Sequence, residues 1–293
     1  MTPEEVTHEV RRLEITTRHL VRDIVAGEYS SAFRGRGVEF AEVREYQPGD
    51  DIRTIDWNVT ARLGSAFVKR YLEERELTVL FLVDRSASDG FGSRVHTRGD
   101  LAAEVVAVLA FAAARNNDRV GLLLATDRIE AFTQPRKGRR HALRVISELL
   151  AFEPEGRGTD LGAALSTLEA SLRRRAVIFL VSDFLTTGYE SSLARLARRH
   201  DLVAIQIVDP RERELPDVGL VTLWDPEGVD WRVVDTSDRV MRERFSQRAQ
   251  AFDQGLERML RERGADLLRL ETGGSFAEPL LAFFRRRERM RWR

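Results

Sequence analysis

Apolar and polar positions alternate with two different rhythms along the chain. Between residues 4 and 26, Val6, Val10, Leu13, Thr17, Leu20 and Ile24 recur at spacings of three and four. That spacing predicts one face of a helix, stopped by Gly27. A glycine-rich stretch at 34–37 leads into 38–43, whose loose alternation predicts a strand, and 66–73 predict another. Between them Pro48-Gly49 marks a turn. From Leu77 the character changes. Residues 77–83 form an apolar run in which Thr78 is the one polar position, the pattern of a strand buried on both faces.

The alternation then continues. A helix is expected over 99–116, strands at 120–125 and 128–132, and helices at 140–152 and 161–172. A strand at 176–181, a helix at 189–199 and a strand at 202–208 follow. After a stretch punctuated by proline and acids (209–237) come a helix at 239–263, a strand at 266–270 and a last helix at 276–288. Strands alternating with helices specify a mostly parallel sheet covered on both faces. The expected organisation is an N-terminal helical and β segment, 1–74, followed by an α/β domain, 75–293.

Composition narrows the chemistry. Lys plus Arg and Asp plus Glu both total 47, so the formal charge is zero and no basic field covers the whole surface. The absence of cysteine excludes disulfides, thiolate metal sites and a cysteine nucleophile. The five histidines form no HExxH pair. The longest apolar run, 101–114, is interrupted by Glu104 and falls short of the ~20 residues of a membrane span. The first residues are acidic where a signal peptide is basic, so the expected location is the cytoplasm.

In open α/β sheets, ligands bind beyond the carboxyl ends of the strands, near the point where strand order reverses. Asp84, Ser86 and Ser88 directly follow the first buried strand, Thr159 precedes a helix, and Ser182-Asp183 end another buried strand. Carboxylates and hydroxyls are the donors that a hard divalent cation takes, Mg2+ preferring six oxygens. If Asp84 alone binds directly and Asp183 acts through water, the cation stays under-neutralised and accepts a carboxylate from outside. Asp160 suits a helix cap better than a ligand.

Asp84, Ser86, Ser88, Thr159 and Asp183 resemble, in chain order, the metal-ion-dependent adhesion site of von Willebrand factor A domains. Residues 46–62 and 73–79, with Asp209-Pro210, 214–217 and 235–237, are similar to the conserved blocks of domain-of-unknown-function family 58, a group of von Willebrand A-like proteins. The likeness spans roughly residues 30–240, and Asp89 departs from the methionine that many such domains carry. It implies a Rossmann-like α/β fold with one antiparallel edge strand, for which 128–132 and 120–125 are the candidates. It also implies Mg2+ (or Mn2+ or Ca2+) held by Asp84, Ser86, Ser88 and Thr159, with Asp183 acting through water. A partner's acidic side chain then completes the coordination. The family's common association with MoxR-type AAA+ ATPases implies an adaptor or co-factor role in assembling or maturing another complex, with an acidic-residue-bearing client.

Enzyme chemistry finds little support. An aspartyl-phosphate phosphatase needs a second Asp where Ser86 stands. The Gly156-Arg157-Gly158 and Gly90-Phe91-Gly92 stretches lack the third glycine of a dinucleotide loop, having Leu161 and Val95 there. Ser275 imitates a hydrolase elbow, but the last histidine, His200, precedes it. A metal-dependent hydrolase therefore ranks below an interaction module. The arginine clusters at 136–140 and 285–293 offer an alternative, contact with nucleic acid or an anionic surface.

Overall fold

The computed structural model describes residues 1–25, 32–33, 38–73, 76–92, 97–224 and 231–291, and leaves out the side chains of 38–42, 69–73, 88–89 and 291. Gly27, the 34–37 stretch and residues 292–293 of the tail lie outside it, as do the side chains of Ser88 and Asp89. The chain forms two compact units, one of Met1–Phe33 with Leu77–Arg293 and one of Arg34–Glu76. Residues 1–33 thus group with the sheet, not with the 38–73 segment that follows them.

The larger unit is built on a six-stranded sheet. Its members are β3 (Thr78–Asp84), β4 (Arg119–Ala125), β5 (Ile129–Lys137), β6 (Val177–Ser182), β7 (Asp201–Val208) and β10 (Asp266–Glu271), in the order β10-β7-β6-β3-β4-β5. All neighbours are parallel except β5, which runs antiparallel to β4 at the edge. This is the Rossmann-like α/β architecture expected, with the antiparallel edge strand at 129–137. Strand order reverses beside β3, because the chain first adds β4 and β5 on one side and then β6 and β7 on the other.

Period-two burial divides the core. Val79, Phe81 and Val83 face one apolar cluster while Leu80 and Leu82 face the other, which is why 79–83 carry no polar position. One layer holds α4 (Arg98–Arg115), α5 (Arg139–Ala151) and α9 (Ala277–Arg291); the other holds α6 (Leu161–Ser171), α7 (Glu190–Arg199) and α8 (Arg239–Glu262). Helix α4 is almost wholly apolar and buried from Leu101 to Ala113, Glu104 being the one charged position. Its second face is covered by α1 (Pro3–Thr16) and α2 (Arg18–Asp23), through Val6, Val10, Leu13 and Val21. Arg12 and Glu104 lie 3.5 Å apart across that contact. The run 101–114 is thus a core helix, and no helix among the described residues is long and apolar enough to cross a membrane.

The single helix expected over 4–26 is broken at Thr17, whose hydroxyl bonds back to the Leu13 carbonyl at 2.6 Å. A hairpin of β8 (Leu220–Trp224) and β9 (Trp231–Asp235) occupies part of the stretch expected to be irregular. Its strands are short and exposed, so they lack the buried run that betrays the others. In the smaller unit, β1 (Val38–Glu45) pairs antiparallel with β2 (Phe67–Glu73) around α3 (Trp57–Leu63). There Arg44 holds Asp50 at 2.6 Å, Asp56 caps α3, and Thr60 Oγ1 accepts from the Phe67 amide at 3.0 Å.

Candidate metal centre at the sheet's switch point

Neighbouring strands β3 and β6 end at the reversal of strand order, and their last residues build the site. Asp84 closes β3 and Ser182 closes β6; both are buried. Ser182 Oγ donates to Asp84 Oδ2 at 2.8 Å and accepts from the Phe184 amide at 2.9 Å. Asp84 Oδ1 accepts from the Ser86 amide at 3.1 Å, an Asx turn that folds the loop over the strand end. Phe184 has φ of 62°, a left-handed conformation unusual for a bulky residue, and its ring is fully buried beside Tyr189. Asp183, the residue before it, lines the cavity at the strand ends.

Asp84, Ser86, Ser182, Asp183 and Arg98 line one small cavity of about 10 Å3, room for a single water-sized occupant. Three of the five residues expected from the sequence, Asp84, Ser86 and Asp183, meet there. Thr159 is half-buried and does not line the cavity. Its loop is nevertheless tied to both neighbours, since Ala87 N donates to the Arg157 carbonyl at 3.1 Å and Thr186 Oγ1 to the Thr159 carbonyl at 3.4 Å. The backbone of Ser88 belongs to a single 3-10 turn, Ala87–Gly90. Asp160 caps α6, accepting from the Ala163 amide at 2.8 Å, as expected. Gly156 has a different reason from phosphate binding: a Cβ there would lie 2.1 Å from Thr126 Oγ1, so only glycine lets the Thr159 loop close onto β4.

Arg98 and Glu212 were not legible as site residues. The Arg98 guanidinium, only 4% exposed, lies 2.9 Å from Asp183 Oδ2 and 2.7 Å from Glu212 Oε1, with the Phe91 ring 5.7 Å away. Burial pushes the Glu212 carboxyl above its ordinary range, against the opposing pull of Arg98 and the Asp209 amide. One signal was available for Arg98. A cation in the first turn of a helix opposes the helix dipole, so an arginine there needs carboxylates nearby.

The donor set suits a hard cation. The side-chain acceptors that line the cavity are all oxygens, the carboxylates of Asp84 and Asp183 and the hydroxyls of Ser86 and Ser182, with the Arg98 guanidinium beside them. Among the described residues no group of three or more His, Cys, Asp or Glu is placed to hold a metal. A cation in this cavity would therefore depend on hydroxyls and water beside Asp84.

The two arginine clusters are partly committed to the fold. Arg139 forms a paired contact with Glu14, and Arg287 is buried against Asp201, Asp266 and the Phe33 ring.

Residues 42–254 match the family described as "Protein of unknown function DUF58". The uncharacterized protein Rv1480 of Mycobacterium tuberculosis (strain ATCC 25618 / H37Rv) is 34% identical over 283 residues, covering 96% of this chain and 89% of that protein. Among solved structures, BatB from Bacteroides thetaiotaomicron superposes over 73% of this chain and 99% of its own, at 14% identity and a TM-score of 0.46. The SpRpn10 VWA domain does so over 70% and 94%, at 13% identity and a TM-score of 0.42. The family match spans most of the chain and the mycobacterial relative nearly all of it; the protein belongs to the DUF58 family.

Proposed function

We propose that the chain is a non-enzymatic, divalent-metal-dependent protein-interaction module. It acts in the cytoplasm as adaptor or co-factor to a MoxR-type AAA+ ATPase in assembling or maturing an acidic-residue-bearing client. The observation that carries this is the meeting of Asp84, Ser86 and Asp183 at one water-sized cavity at the switch point of the sheet. Asp84 and Ser86 would hold Mg2+ (or Mn2+ or Ca2+), with Ser88 and Thr159 contributed by the adjoining loops and Asp183 acting through water. Bound there, the cation supplies an open position for a carboxylate from the partner.

The chain's own residues set the terms of that contact. Ser182 orients Asp84, the Leu185 amide fixes Asp183 Oδ1 at 2.9 Å, and Arg98 holds the other oxygen of Asp183. Because Arg98 already offsets one carboxylate, a divalent ion in the cavity keeps positive character facing outward, which attracts an acid and repels a base.

The test has two parts. A cation that binds only the folded protein raises its stability, by about 2.7 kcal/mol at a hundredfold excess over Kd. Thermal melting in millimolar Mg2+ or Mn2+ should therefore exceed melting in EDTA, and Asp84→Asn should remove the difference. Mixing the purified chain with a MoxR-type ATPase should give a complex on size-exclusion chromatography that EDTA and Asp84→Asn both dissolve. A melting curve indifferent to metal and chelator would defeat the metal reading.

A further inference from the structure

Beside the metal cavity, and sharing Arg98 and Asp183 with it, runs an open groove of about 710 Å3. Its apolar walls come from four separate elements: Phe91 and Leu185 from the loops after β3 and β6, Leu223 and Trp224 from β8, and Phe245 and Phe252 from α8. Several of these side chains stand in solvent, Leu185 at 63% and Trp224 at 62% exposed. A contiguous apolar trough of this kind on a folded unit marks a binding surface.

Charge selects the occupant. The groove's carboxylates are already engaged: Asp183 and Glu212 by Arg98, and Asp253 by Arg213 at 2.9 Å. Arg211 and Arg248 also line the groove, are exposed, and form no ion pair among the described residues. The trough therefore presents apolar walls with two guanidinium groups, which complements a ligand combining bulky apolar side chains with negative charge. The half-exposed walls suit a polypeptide segment lying along the trough, since a single acyl chain would leave much of that surface wet.

We infer that this groove receives a short linear segment of the partner protein, carrying bulky apolar residues and an Asp or Glu that pairs with Arg211 and Arg248. The inference rests on the proposed metal-dependent docking, and extends it from one coordinating carboxylate to the stretch of chain around it. The first acid would reach the cation; the apolar residues and the second acid would lie in the groove and set specificity.

The experiment selects a displayed library of random twelve-residue peptides on the immobilised full chain in Mg2+. Enriched peptides should combine acidic with large apolar residues. By fluorescence anisotropy they should lose about tenfold or more in affinity with Arg211→Glu/Arg248→Glu or with Leu223→Ser/Phe252→Ser. Melting temperatures near wild type would show that these exposed substitutions leave the fold intact. Peptides lacking acids, or bound by both double variants as tightly as by the wild type, would overturn the inference. So would the absence of any enriched peptide, or displacement of enriched peptides by oleate at lower concentration than by the peptides themselves. The two ideas separate cleanly. Binding that ignores EDTA and Asp84→Asn but falls with the groove variants defeats the metal reading alone; the reverse pattern defeats the groove alone.

Discussion

Ser182 and Asp84 lie 98 positions apart in sequence and 2.8 Å apart in space, where a hydroxyl at the end of one parallel strand donates to a carboxylate at the end of its neighbour. The same hydroxyl accepts from the Phe184 amide and so supports the left-handed turn that carries Asp183. Ser182→Ala should leave one buried carboxylate oxygen and one amide poorly satisfied, costing about 1–3 kcal/mol. Urea unfolding reads this as a lower midpoint at unchanged slope. The metal-dependent rise in melting temperature should shrink in the same variant.

Arg98 is buried between two carboxylates, so its removal strands charge inside the protein. Arg98→Met should destabilise by about 3–5 kcal/mol. Adding Glu212→Gln should recover part of that loss, because one of the stranded charges is then gone. A double variant no more stable than Arg98→Met would show that Glu212 is held by something other than this arginine.

Gly156→Ala places a methyl group 2.1 Å from Thr126 Oγ1 and 2.2 Å from Asp127 Oδ1. Either the loop or the Thr126 and Asp127 side chains must give way, at a cost of about 1–3 kcal/mol. Because the same loop carries Thr159, the substitution should also weaken Mg2+ stabilisation. Gly49→Ala provides the contrast: its own φ of 111° is strained for alanine, yet no atom lies within 4 Å and the site is distant in sequence from every proposed ligand. It should lower stability without touching the metal response.

His200 gives the fold a defined acid sensitivity. Its Nδ1 accepts from the Ala176 amide at 3.2 Å and its Nε2 has no hydrogen-bond partner among the described residues. Burial, helped by Arg199 and Arg175, lowers its pKa below the ordinary 6.5. The unfolded chain therefore binds a proton more readily than the folded one as pH drops through that value. The stability that neutral His200 contributes is present above about pH 6.5 and is lost on acidification. His200→Gln should flatten this dependence, seen by urea unfolding at successive pH values, and an unchanged profile would show that other groups govern it.

Phe33 packs edge-on against Phe179 and Phe284, at 5.5 and 5.6 Å between ring centres. Phe33→Ala should cost about 3–5 kcal/mol, the usual loss for a buried phenylalanine. Limited proteolysis should then cut among residues 1–33 sooner than in wild type if that segment depends on this anchor.

The sheet was legible because its strands are buried on both faces: 79–83 and 176–181 spell out unbroken apolar runs, and 202–208 is interrupted only by Gln206. Asp84 and Asp183 were legible for a related reason, as the first acids after such runs, where an α/β sheet places its ligands. Arg98 was not, since its partner Glu212 lies 114 positions later, and its place in the first turn of a helix hints at a nearby carboxylate without saying which one. The β8–β9 hairpin escaped notice because exposed strands need no apolar run. The grouping of residues 1–33 with the sheet was hidden as well. Periodicity shows that α1 has an apolar face but does not name the surface that the face will cover.

Helix α4 carries a consequence for the living cell. Apolar but for Glu104 along its middle, it is shielded on one side by segments that the ribosome makes well before it. At ~5–20 residues per second those segments wait several seconds for the helix that they will cover. The helix in turn waits for later strands to close its other side. In that interval the nascent chain exposes a long apolar stretch, and the first two helices are the cover already waiting for one side of it.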